Sequence, residues 1–318
     1  MTLPLAELFC GSPARAARVA CRLSVREREA AARAALRLLE HEKSLLETRL
    51  GAGTLLAVLG DPRLDALQPA MLQVPAGAFR MGMREEEVPA VAREFDIPEA
   101  WLRKACPQRE VELGAFEIGR FPVTNGEWAV FAARSGYGER PSGWRSGRVV
   151  PGRENHPVSG VSFEGALAYC AWLTRETGQR YRLPSEAEWE KAARGGDGRA
   201  YPFGDAFDPA CANTRETGIG ETTPVGVFPG GAAPCGALDL AGNVEEYTGS
   251  LYRLYPGSPA TDPDEGSYRV TRGGCFALDG DLARCDRRHG TPFGGAVGFR
   301  LARSRASAEP ASGEGEAE

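Results

Sequence analysis

Along the first 67 residues the apolar positions follow a helical beat, with Leu36, Leu39, Leu46 and Leu50 recurring on one face of an Ala-, Leu- and Arg-rich stretch. Ser24 and Glu27 make a capping box that would open this helix, and Gly51 would stop it. A shorter helix would then end at the Gly60-Asp61-Pro62 breaker. Residues 1–69 are therefore expected to form a small helical region, either a packing extension or a surface for a partner.

From Met71 the texture changes to short apolar pieces separated by Gly and Pro, and 72–82 reads as a hairpin. A second capping box, Thr124 with Glu127, predicts a helix that carries Trp128 and Phe131 on one face and closes at Gly136. Ser162 would cap another, with a stripe of Phe163, Leu167, Cys170, Trp172 and Leu173 turned to the core. Ser185 with Glu188 would open a short helix through Trp189 to Ala193. No helix is expected after Gly195, and 305–318 reads as a disordered acidic tail.

Composition narrows the function classes. The net charge of −5 comes without a basic stripe, so nucleic acid is not an expected partner. No apolar run is long enough to span a bilayer, and the first residues lack a signal-peptide pattern, so a cytoplasmic protein without a membrane partner is expected. Eight Cys form no CxxC pair and only three His occur, which gives zinc no ligand spacing and leaves most thiols as small buried apolar groups.

A series of motifs in fixed order carries a family resemblance. Phe116-Glu117-Ile118-Gly119 leads to Pro122-Val123-Thr124-Asn125, and His156-Pro157-Val158 leads to Ala168-Tyr169-Cys170-Ala171-Trp172. Arg182-Leu183-Pro184-Ser185-Glu186-Ala187-Glu188-Trp189-Glu190 follows, with Tyr201-Pro202-Phe203-Gly204-Asp205 and Ala241-Gly242-Asn243 after it. Arg272-Gly273-Gly274 and Gly298-Phe299-Arg300 complete the set. The series resembles the formylglycine-generating-enzyme, or sulfatase-modifying-factor, family. The resemblance implies an irregular α+β fold of the C-type-lectin type, expected over 70–304.

Three activities are implied by that resemblance and its relatives. Copper-dependent oxidation of a substrate Cys needs two thiolates after Arg-Gly-Gly, and the matching positions here hold Leu278 and Ala283. Neither side chain can bind the soft Cu(I) ion, so copper is not expected there. Cys275 and Cys285 lie close enough in sequence to suggest a displaced copper site, and with it a metal-dependent oxidoreductase as the alternative function. Hercynine oxygenases hold iron with clustered His, but His41, His156 and His289 are scattered.

The third use is non-catalytic. Variable proteins of diversity-generating retroelements display a C-terminal loop on this fold, and the framework around 272–300 is similar to theirs. Between Cys275 and Val297 there is no Lys, Glu, Gln, Met or Trp, the pattern adenine-directed rewriting of Asn codons would leave, and also one that a short Gly-rich loop of a GC-rich genome would show. Phe276, Leu278, Asp279, Asp281, Arg288, His289, Thr291 and Phe293 would then face a protein or small-molecule ligand. A ligand-binding, non-catalytic protein is the reading adopted.

The resemblance also implies structural Ca2+ beside the Gly-Asn motif, held by Asp239, Gly242, Val244 and Glu246, a set of hard oxygen ligands. Glu245 and Tyr247 stand where family members carry Trp on either side of that Glu.

Overall fold

A computed structural model describes residues 13–290 and 295–304. Three helices open it: α1 (Pro13–Ala20), α2 (Val25–Glu40) and α3 (Leu46–Leu59). The Ser24 and Glu27 capping box starts α2 as expected. Gly51 does not stop a helix: the chain already breaks at His41, whose extended backbone ends α2, and Gly51 lies buried inside α3. The leucine repeat runs across this break because both helices turn apolar faces to each other and to Val227 and Phe228. Gly60, with φ of +92°, ends α3.

Strands β1 (Met71–Val74) and β2 (Gly77–Met81) follow. They were expected to pair as a hairpin, yet each joins a different sheet. Strand β1 pairs antiparallel with β4 (Phe116–Gly119), which pairs in turn with β8 (Ala302–Ser304), so the two ends of the domain meet in one sheet. Strand β2 pairs with β3 (Arg109–Leu113). Pro75, which has no N–H for a ladder, and Gly77, at φ of +127°, redirect the chain between them. Two short helices, α4 (Val88–Phe95) and α5 (Glu99–Arg103), lie between β2 and β3 and were not foreseen.

The three capped helices form as the sequence predicts: α6 (Asn125–Ser135), closed by left-handed Gly136; α7 (Phe163–Thr177), capped by Ser162; and α8 (Glu186–Arg194), with the Ser185 and Glu188 box. Trp128, Phe131, Tyr169, Trp172 and Phe299 interlock as the main core, their rings 5.1 to 6.2 Å apart in edge-on, tilted or stacked pairs. Leu167, expected in that stripe, is 44% exposed; Ala166 and Tyr169 take the inward positions instead.

A third sheet supports the site. Central β5 (Glu245–Leu251) pairs antiparallel with β6 (Arg269–Arg272) and parallel with β7 (Val297–Phe299). After α8 the described residues hold only 3-10 turns besides strands. The expected tail at 305–318 lies outside the described residues. No described helix is long and apolar enough to cross a membrane.

Candidate ligand-binding site

The family motifs meet in a buried ionic frame. Arg272, the Arg of Arg-Gly-Gly, is fully buried at the end of β6 and donates to Glu186 at 2.7 Å and Glu190 at 2.9 Å, both one helical turn apart on α8. Arg288 donates to both oxygens of Glu186 and lies over the rings of Tyr255 and Tyr252, 4.0 and 4.6 Å from their centres. Burial works against the Glu186 charge, but the two guanidinium groups outweigh it and hold its pKa below the usual carboxylate value. Arg194 links Glu190 to Asp286, which also accepts from Arg284. The carboxylates of the Arg-Leu-Pro-Ser-Glu segment thus anchor the loop after β6.

The expected calcium ligands have other employment. Both oxygens of Glu246 accept from buried Arg300 at 2.6 Å, and one also accepts from Trp189 Nε1 at 2.7 Å. Asp239 accepts from the Gly226 N–H and from Asn243 Nδ2. Gly242, at φ of +75°, donates its N–H to Gly273 and gives an added Cβ no room beside the Asn213 carbonyl, and Val244 is buried in the fold. The set does not fit a calcium shell, because its carboxylates already neutralise an arginine and tie a turn. Among the described residues no group of three or more His, Cys, Asp or Glu is placed to hold a metal.

The thiols are equally committed to the interior. Cys285 is fully buried against Trp189, Ala193, Ala237 and Leu240, where burial pushes its pKa far up. Burial also pushes Cys275 up to about 11. Copper at either position would first have to displace a proton that burial holds on the sulfur. Ala283 is buried beside Tyr201, Ala212 and Ala241. His156 is buried against Thr222, with its pKa driven to about 3 by burial and by Arg153, while His289 contacts Glu245. No His pair converges among these contacts.

Above the ionic frame lies a cavity of about 380 Å³. One wall is the loop after β6: Leu278, Asp279, Asp281, Leu282, Arg287, Arg288, His289 and Gly290. Five of the eight expected ligand-facing residues are therefore brought together. Two of them are more deeply held than a display role implies: Asp281 is buried and accepts from Arg287, and Arg288 is buried on Glu186. Phe276 is half-buried outside the cavity, and Thr291 and Phe293 lie outside the described residues.

The opposite wall was missed in the sequence. Ile97, Trp101 and Lys104 come from the α4 and α5 region, and Tyr252 and Tyr268 from the segments beside β5 and β6. Trp101 is 52% exposed. Nothing local in the sequence ties Trp101 to a loop so far along the chain. Apolar and aromatic walls with a few placed polar groups are what a small-molecule site offers.

Residues 60–305 match the sulfatase-modifying factor enzyme 1-like domain family. The chain belongs to this family. Hercynine oxygenase of Mycolicibacterium thermoresistibile is 35% identical over 218 residues, covering 56% of this chain and 48% of that protein. The chain thus spans about half the length of this curated relative. Among solved structures, PvdO from Pseudomonas aeruginosa matches with a TM-score of 0.61 and 29% identity over 75% of this chain and 95% of that one. Treponema denticola variable protein 1 matches with a TM-score of 0.55 and 21% identity, over 73% of this chain and 94% of that one, a likeness of fold alone. The α+β fold of the family is that of this chain.

Proposed function

We propose that this member of the family is a ligand-binding protein that takes a small aromatic or mixed apolar-polar molecule in the cavity between the loop after β6 and the α4 and α5 region. The observation that carries this reading is the convergence of Leu278, Asp279, Asp281, Arg288 and His289 with Trp101, Tyr252 and Tyr268 on one cavity of about 380 Å³. Leu278, at a copper-thiolate position of the family, is here part of an apolar wall. Cys275 and Cys285 are free but buried, which speaks against copper oxidation as the reaction.

A screen of small aromatic fragments by ligand-observed NMR tests this. Fragments are expected to bind the full chain and to lose affinity at least tenfold in Leu278→Arg and Trp101→Ala. A screen in which nothing binds, or in which both variants bind as wild type does, overturns the reading.

The sharper version is a retroelement-diversified display protein with its variable region at about 272–300. Arg272, Arg284, Asp286, Arg287, Arg288 and Arg300 within that span are buried and paired, so variation at them would strand a buried charge. Among the described residues of that span, the positions left outside the interior are the 276–279 stretch, Leu282, His289, Gly290, Gly295 and Ala296. A reverse-transcriptase gene next to a near-copy of this coding segment, differing at adenines, is the expected genomic signature; a locus without one removes this version and leaves the cavity reading in place.

A further inference from the structure

His289 on the cavity wall is paired with a buried carboxylate behind it, Glu245, that the ionic frame does not use. His289 Nδ1 lies 2.7 Å from Glu245 Oε1. A carboxylate only accepts, so Nδ1 carries the hydrogen and Nε2 of the neutral ring is left as a proton acceptor. Glu245 is 4% exposed at the start of β5 and also accepts from Thr271 Oγ1 at 3.3 Å. The His289 backbone is fixed too, its N–H and carbonyl both bonded to Thr271 of β6 at 3.1 and 2.7 Å. The imidazole itself keeps 41% of its side chain accessible. A rigid, oriented base at the edge of a cavity is the arrangement from which proton abstraction proceeds.

The other charges around the cavity are already neutralised. Asp281 and Arg287 pair with each other, Arg288 with Glu186 of α8, Lys104 with Asp262, and Asp279 with Arg215. Glu245 is therefore the group that orients and charges His289. Tyr252, beneath Arg288, is 1% exposed, and its buried hydroxyl has no hydrogen-bond partner among the described residues. Among the described residues no Ser, Thr or Cys lines the cavity.

We infer that Glu245 and His289 form an acid–base dyad, with His289 as the catalytic base and Glu245 as its positioning residue, acting on an aromatic molecule that carries an acidic C–H or O–H. The inference rests on the cavity being the ligand site. It adds proton transfer to binding and requires no metal or redox partner.

The probe is 5-nitrobenzisoxazole, a small aromatic whose ring opens when a base removes one proton. His289 Nε2 takes the C–H proton, the freed electron pair forms the nitrile as the N–O bond breaks, and the oxygen leaves as a phenolate. Water then takes the proton from the imidazolium. The inert analogue 5-nitrobenzotriazole reports binding separately.

Wild type is expected to bind the triazole and to open the isoxazole about 100-fold faster than His289→Ala, within the usual range for a positioned base. The rate should rise with pH to a plateau, because the neutral imidazole is the active form. Glu245→Gln should lower that plateau and move its half-point to lower pH, while thermal unfolding shows both variants folded. Triazole binding without acceleration, or acceleration untouched by His289→Ala, overturns the dyad alone. Absence of triazole binding overturns the cavity reading and the dyad with it.

Discussion

Glu246 and Arg300 close on each other through two hydrogen bonds of 2.6 Å in the interior, joining β5 to the chain just after β7. Arg300 also donates to the carbonyls of Gly119 and Leu238, so one guanidinium ties the central sheet to β4 and to the segment that precedes the Gly-Asn motif. Removing either partner strands a fully buried charge. Arg300→Ala is expected to cost about 3–5 kcal/mol by urea unfolding. Replacing both residues together with Met and Leu should cost markedly less; equal losses in single and double variants would mean the pair is not the source.

The same pair bears on calcium. With Glu246 satisfied by Arg300 and Trp189, and Asp239 by Gly226 and Asn243, chelation has no ligand shell to empty. Treatment with EDTA is expected to leave the unfolding temperature unchanged, as is millimolar CaCl2 added back. An ion bound to the native state alone must stabilise it in proportion to its occupancy, so a fall of several degrees on chelation would contradict this assignment.

Local signals were legible in the sequence and distant ones were not. Ser24, Thr124 and Ser185 each meet their Glu three residues on, so the capping boxes could be read directly. The loop after β6 was singled out because the copper positions hold Leu278 and Ala283. Its charges were misjudged: Asp281 and Arg288 in a Gly-rich loop look solvated, and only folding brings Arg288 to Glu186, 102 residues away. The wall with Trp101 was invisible for the same reason, since Arg287 reaches the Trp101 carbonyl across 186 positions. Gly51 and the 72–82 segment failed differently: a stop signal and a hairpin pattern were each overridden by tertiary packing.

Burial of the Glu127 carboxylate pushes its pKa up to about 7 although Thr124 donates to it. A carboxyl that binds its proton more tightly when folded makes the native state lose stability as pH rises, here from the ordinary value of 4.5 through about 7. Glu127→Gln keeps an acceptor for the Thr124 cap but cannot ionise. It should flatten this part of the stability profile and leave the variant about 1–3 kcal/mol more stable relative to wild type at pH 8 than at pH 4.5. Parallel urea-midpoint curves for the two proteins between those pH values would refute the assignment.

The helical region at the N-terminus is held to the main domain through a close backbone approach at Gly53. A Cβ there would meet Cβ and Cγ of Pro224 at 2.6 Å, and a proline ring cannot rotate away. The Gly53 carbonyl also accepts from Asn155 Nδ2 at 2.9 Å, so displacing α3 breaks a buried hydrogen bond as well. Alanine is the better helix former, and in an isolated helix Gly53→Ala would stabilise by up to about 1 kcal/mol. Overpacking of about 1–3 kcal/mol is expected to dominate instead, with net destabilisation and faster amide exchange along α2 and α3. A variant as stable as wild type, with unchanged exchange in those helices, would show that the contact with Pro224 yields without cost.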